Sequence, residues 1–170
     1  MGTAVAVIGA GRMGPGIALA FAAGGCPALL VGRGAPQLDR ARAAFDEALA
    51  GLTRGKLLDA DTARAAAGRF QTTTDLARVG ASQVVIEATP EALEGKQELF
   101  AELEDRVGPE TILASNTSGL PITRIAARTR TAHRVVGMKF VNPAHLVPLV
   151  EVVKGDATAR LVLVEFTDYQ

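Results

Sequence analysis

The chain has 170 residues, 48% of them hydrophobic and 21% charged, the balance of a globular domain with its own core rather than of a disordered segment. Lys and Arg number 18, as do Asp and Glu, so the net charge is zero; with 4% aromatics and no Trp, the sequence lacks the basic surface and the stacking platforms that nucleic-acid binding needs. The lone Cys26 cannot form an internal disulfide, which fits a reducing, cytoplasmic setting.

The N-terminal segment "MGTAVAVIGAG" has no basic stretch before its apolar run and no cleavage pattern after it. It is too short and too glycine-rich to span a membrane, and Ala6 stands where a myristoylation signal needs Ser or Thr. The short apolar run 3–9, bounded by glycine, reads as a buried strand, and "GPGIALAFAAGG" as a helix stopped at Gly24-Gly25. "ALLVG" (28–32) reads as a second strand. "PQLDRARAAFDEALAGLTRG" is an amphipathic helix with Leu38, Ala41, Phe45 and Leu49 at helical spacing. "DADTARAAAGRF" is a further helix with an Asp/Thr start. A strand at 83–89, a helix at 91–107 and a strand at 111–117 running into a polar loop come next. "LPITRIAART" reads as a short helix, then 134–141 and "LVPLVEVVKG" as strands, with "RLVLVEF" as one more at most. Alternating strands and helices predict an α/β, doubly wound, mostly parallel sheet. Residues 1–156 are expected to form the domain, and 157–170 a tail or extra strand.

In "VIGAGRMG", Gly9, Gly11 and Gly14 form G-x-G-x-x-G, with Arg12 and Met13 between, directly after a strand and opening a helix. That context suits a pyrophosphate: a tight turn, a close backbone approach, close helix–strand packing and a helix N-terminus facing the phosphates. A plain structural turn is the weaker reading. About 20 residues further on, NAD binders usually carry an acid for the ribose hydroxyl. Here Gly32 occupies that place and Arg33 follows. Without the carboxylate a 2′-phosphate is not repelled, and a guanidinium can grip it with two hydrogen bonds. NADP(H) is therefore expected over NAD(H). The other reading is that the acid has drifted away and both cofactors bind poorly.

Four ordered stretches, "VIGAGRMGPGIA", "VVIEATPEALEGKQELFAELE", "ILASNTSGLPITRIA" and "VVGMKFVNPAHLVPLVEVVKG", together resemble the NAD-binding domain of 3-hydroxyacyl-CoA dehydrogenases, from about residue 3 to 156. The resemblance implies that Gly9, Gly11 and Gly14 cradle the cofactor phosphates. It places Glu91 and Lys96 near the ribose and nicotinamide, and Asn116 on the cofactor. It gives Ser118 to the substrate's 3-oxygen, Asn142 to the reacting centre and Glu151 to orienting the catalytic base. Read without the family, Ser118 also suits a helix cap, and Glu91 and Lys96 also suit a solvated helix face. The family's helical domain, which closes over the acyl-CoA and forms the dimer, lies beyond the region of resemblance.

The family's catalytic histidine corresponds to Lys139. A histidine near pKa 6.5 serves as acid and base, whereas a lysine, at about 10.4, is charged at neutral pH. A neighbouring Glu151 carboxylate favours that charge further. Lys139 is thus a poor base but a competent proton donor to a carbonyl oxygen, which suits reduction by NADPH. His145, in the loop "NPAHLVP", is a weaker substitute acid, and His133 reads as exposed. No His/Cys/Asp spacing suggests a metal site.

Two readings follow from these residues. One is an oxidoreductase acting on a 3-oxoacyl or 3-hydroxyacyl thioester, carried by CoA or a carrier protein, or on a related β-keto compound. The other is a non-catalytic or auxiliary dinucleotide-binding domain. A homodimer is expected through the edge strand "RLVLVEF".

Overall fold

A computed structural model of the chain describes residues 2–155 and the backbone of residues 162–165. The described residues form an eight-stranded sheet of order β3-β2-β1-β4-β5-β6-β7-β8. Its strands are β1 (Val5–Ile8), β2 (Ala28–Val31), β3 (Phe70–Thr73), β4 (Val84–Glu87), β5 (Ile112–Ser115), β6 (Val135–Phe140), β7 (Leu149–Lys154) and β8 (Val162–Glu165). The first six run parallel; β7 pairs antiparallel with β6, and β8 with β7. The strand order reverses between β1 and β4, so the carboxyl ends of those two strands flank the crevice where open α/β sheets bind ligands. This is the Rossmann-type architecture expected from the alternation of strands and helices.

Both faces are covered, which explains why the central strands are apolar throughout instead of alternating. Helices α1 (Gly14–Ala23), α2 (Ala35–Arg54) and α3 (Ala60–Arg69) enclose one core, built on Ile17, Leu30, Phe45 and Phe70. There Phe45 and Phe70 stack with centroids 3.8 Å apart, and the Arg42 guanidinium lies 4.4 Å from the Phe70 centroid. Helices α4 (Leu93–Arg106) and α5 (Ile122–Ile125) enclose a second core of Val85, Phe100, Leu103, Leu113 and Ile125. The Asp59 carboxylate caps α3 by accepting from the Asp61 and Thr62 amides, each at 2.9 Å.

Three elements differ from the sequence reading. Strand β3 was not expected, because "FQTT" is short and polar; only Phe70 is buried there, and the strand forms by pairing at the sheet edge. Strand β7 starts at Leu149, after Pro148, which has no amide to give a sheet ladder. Helix α4 starts at Leu93, so Glu91 lies in the loop before it and not on a helix face.

Candidate active site

The three motif glycines divide by what surrounds them. Gly9 has φ +116°, and a Cβ there would stand 2.4 Å from the Ala88 carbonyl oxygen. A Cβ on Gly14 would stand 2.0 Å from the Gly9 carbonyl oxygen. The fold itself therefore demands these two. A Cβ on Gly11 would meet nothing within 4 Å among the described residues. Internal packing does not explain this glycine, and the open space beside it has room for a closely approaching pyrophosphate. Arg12 is exposed, Met13 is half-buried as the N-cap residue of α1, and no side chain caps that helix. The first-turn amides of α1 are thus aimed at the crevice mouth, where an anion is favoured. These residues fit a dinucleotide.

At the end of β2, Gly32 is buried and Arg33 exposed. A Cβ on Gly32 would lie 2.7 Å from Leu38 Cδ2 and 3.1 Å from Ala10 Cβ. A carboxylate at this place would therefore have to push the core residue Leu38 aside. The Arg33 amide donates to Gln37 Oε1 at 3.0 Å, which fixes the backbone from which the guanidinium extends into solvent.

Between the halves of the sheet lies a buried charge network that the sequence reading did not find. Glu87, the last residue of β4, is 0% exposed. Its Oε1 accepts from Lys96 Nζ at 2.5 Å and from the Thr89 amide and hydroxyl at 2.6 Å each, and its Oε2 accepts from Ser115 Oγ at 2.6 Å. Lys96 is 1% exposed; its ammonium also lies 3.3 Å from Glu91 Oε2 and donates to the Thr89 carbonyl. A solvated helix face is thus the wrong description of Lys96: it points inward from α4 because a buried carboxylate awaits it. Glu91 Oε1 in turn accepts from Thr117 Oγ1, from the Ser118 amide at 3.0 Å and from the Gly119 amide at 3.3 Å. Partial burial pushes the Glu91 carboxyl up, but the Thr117 and Ser118 hydrogen bonds and the Lys96 charge outweigh it and hold it below its ordinary value. The available signal was an acid closing the apolar run "VVIE", an expensive place for a charge unless a cation is near.

Ser118, Lys139 and Glu151 line one cleft of about 270 Å³, floored by Ile122, Gly137 and Val153. The β6–β7 register sets Lys139 opposite Glu151, with Nζ 3.6 Å from Oε2 and both side chains part-exposed. Asn116, at the end of β5, accepts through Oδ1 from the Phe140 amide at 2.8 Å and so joins the ends of β5 and β6. Asn142 is exposed in the following turn and does not line the cleft. His145 faces elsewhere, into an apolar pocket with Phe21, Phe140 and Val150 on the α1 side of the sheet, so it is no substitute acid for Lys139. Burial pushes its imidazole down from the ordinary value, and its Nδ1 has no hydrogen-bond partner among the described residues. The described residues hold no cluster suited to a metal ion, and none of their helices is long and apolar enough to cross a membrane.

Comparison with known proteins agrees with this geometry. The family model for the 3-hydroxyacyl-CoA dehydrogenase NAD binding domain matches residues 4–170. The chain is 44% identical over 160 residues to 3-hydroxyadipyl-CoA dehydrogenase of Escherichia coli, covering 94% of this chain and 34% of that protein. It is 41% identical over 161 residues to a probable 3-hydroxybutyryl-CoA dehydrogenase of Deinococcus radiodurans, covering 92% of this chain and 57% of that one. The crystal structure of 3-hydroxybutyryl-CoA dehydrogenase from Escherichia coli K12 superposes with a TM-score of 0.85 at 42% identity, over 89% of this chain and 32% of that one. The chain thus spans between a third and three-fifths of the length of these relatives. With the family model matched over nearly its whole length and the crevice built as described, the chain belongs to the 3-hydroxyacyl-CoA dehydrogenase family, in its nicotinamide-dinucleotide-binding domain.

Proposed function

We propose that this chain carries the cofactor site and proton-donating centre of an NADP(H)-dependent oxidoreductase that reduces a 3-oxoacyl thioester or a related β-keto compound. The observation that carries this reading is the shared cleft of Ser118, Lys139 and Glu151, at the carboxyl edge of a sheet whose Gly11 is left open to a ligand. The relatives named above are CoA-thioester dehydrogenases, which favours the substrate class. NADPH held by these residues would supply the hydride equivalent for reduction at the substrate's C3. The Ser118 hydroxyl hydrogen-bonds the 3-oxygen, and the Lys139 ammonium transfers a proton to that oxygen as negative charge develops there. Glu151 holds the ammonium in place across the β6–β7 pair. Asn142, exposed in the turn beyond β6, is a further polar group offered to the reacting centre.

For the cofactor, Gly9, Gly11, Arg12, Met13 and Gly14 receive the phosphates, and Asn116 lies on the nicotinamide side. The preference for NADP(H) comes from Gly32 and Arg33. Glu91 reaches the ribose directly, and Lys96, being 1% exposed, acts through it. Two copies pair through the edge strand β8, and light scattering that gives the mass of one chain refutes that pairing.

One observation favours the second reading, a dinucleotide-binding domain without turnover: the Lys139–Glu151 pair is part-exposed, and such cross-strand pairs are common without catalysis. The deciding experiment is NADPH oxidation in the presence of a 3-oxoacyl-CoA. The proposal expects turnover, with Lys139→Ala lowering kcat by about a hundredfold or more, the scale of one general acid, while NADPH binding is retained. Cofactor binding without turnover by the unaltered chain overturns it.

A further inference from the structure

We infer that Glu87 is a positioning residue: it seats Lys96, Lys96 orients Glu91, and Glu91 anchors the Thr117–Gly119 turn that presents Ser118. A carboxylate at the fully buried end of a central strand is costly, and an apolar residue there would be the default for packing alone. Its neighbours across the sheet are Ile8 on β1 and Ser115 on β5, so the ladder itself asks for no charge. The chain has placed four donors around it instead.

The consequence runs outward. Glu91 belongs to a loop, and its side chain is 44% exposed, so by itself it would sample several rotamers. The Lys96 ammonium on Oε2 leaves Oε1 turned toward the 117–119 turn, where it gathers one hydroxyl and two amides. Lys96 can hold that orientation only while its own charge is neutralised inside, and Glu87 is the fully buried carboxylate that does so. The turn's amides are thereby tied, through three side chains, to the middle of the sheet. Thr117 Oγ1 also accepts from the Leu120 amide at 3.0 Å, so the same anchor reaches the entry to α5.

The catalytic consequence rests on the reading of Ser118 as the ligand of the substrate oxygen; the positioning itself does not. The test is therefore amide hydrogen exchange followed by NMR on the full chain, comparing Ser118 and Gly119 with the sheet amides Val7, Val85 and Ala114. Two variants are compared with the unaltered protein: Glu87→Gln, and Glu87→Gln combined with Lys96→Met. The double variant leaves no buried charge unpaired, the Glu91 carboxylate being part-exposed, so it is expected to recover the stability that the single variant loses. In both, Ser118 and Gly119 are expected to exchange at least about tenfold faster, the loss of about 1.4 kcal/mol of local protection. In the double variant the sheet amides stay within about threefold of the unaltered protein. A purely stabilising role for the Glu87–Lys96 pair predicts that the turn recovers together with the sheet in the double variant, and that result overturns the inference. Unchanged exchange at the turn in both variants overturns it equally. Turnover measured alongside separates the two claims: fast exchange without any 3-oxoacyl-CoA reduction, even by the unaltered chain, refutes the assignment of substrate and leaves the positioning intact.

Discussion

The two halves of the sheet build their parts of the crevice by opposite means. Around β1 and β2 the site is shaped by what is missing. Gly9 and Gly14 remove side chains that the backbone could not accommodate, Gly11 leaves open space, and Gly32 leaves room for Leu38. Around β4, β5 and β6 the site is shaped by what has been added. A buried carboxylate, a buried ammonium and a half-buried carboxylate are wired into one network, and a lysine faces a glutamate across β6 and β7. At Gly9, Gly14 and Gly32 the first kind of construction has no room for added atoms, and the second tolerates no lost buried charge. The two halves should therefore fail differently when altered.

A large effect is expected in the first half. Gly14→Ala would force a methyl group to within 2.0 Å of a backbone oxygen, and the chain should lose about 3 kcal/mol or more in urea unfolding. Gly11→Ala sharpens the contrast. With no neighbour within 4 Å, it should change stability by no more than about 0.5 kcal/mol while weakening nucleotide binding by about tenfold or more. Comparable loss of stability in both variants would break the distinction drawn between these two glycines.

In the second half, Glu87→Leu leaves the buried Lys96 ammonium only the part-exposed Glu91 as counter-ion and should cost about 3 kcal/mol or more, the scale of breaking a buried pair on one side. Lys139→Ala, by contrast, breaks a part-exposed pair and should cost no more than about 1 kcal/mol in the same measurement. Similar losses for the two would mean that the network is no more important to the fold than a surface ion pair.

These differences also explain what could be read from the sequence. The glycine pattern was legible because its spacing is local: a strand, a turn and a helix follow one another within "VIGAGRMG". The α/β class and most elements were legible from apolar runs and helical spacing for the same reason. Glu87 was not, because its meaning depends on Lys96, nine residues on and one helical element away, and on Ser115, on the neighbouring strand. Strand β3 was missed because "FQTT" acquires its structure only by pairing with β2. The Lys139–Glu151 juxtaposition was suggested by the resemblance, and the antiparallel register supplies its geometry. The side of the sheet on which His145 falls could not be read from a loop sequence at all.

A smaller effect separates the two faces of β6. Burial holds the His145 imidazole below its ordinary pKa, so the folded chain favours the neutral form. The contribution of this neutral ring is fully present above the unfolded value of about 6.5 and declines as pH falls through the lower, folded value. His145→Gln should therefore flatten the loss of stability below about pH 6.5 and leave the profile near pH 8 unchanged, as urea midpoints at several pH values would show. An unaltered slope would place His145 in solvent.

Arg33→Ala removes one exposed cation and should leave stability unaltered. It should weaken NADPH by about tenfold, the scale of a charged hydrogen-bonding pair, and leave NADH unchanged. Equal loss for both cofactors would contradict a role in recognising the 2′-phosphate.

The most direct measurement is a titration of the unaltered chain with NADPH and with NADH, followed by the fluorescence of the reduced nicotinamide. The account predicts saturable binding of both, with NADPH tighter by about tenfold or more. Failure of NADPH to bind, or NADH bound as tightly as NADPH, would contradict it.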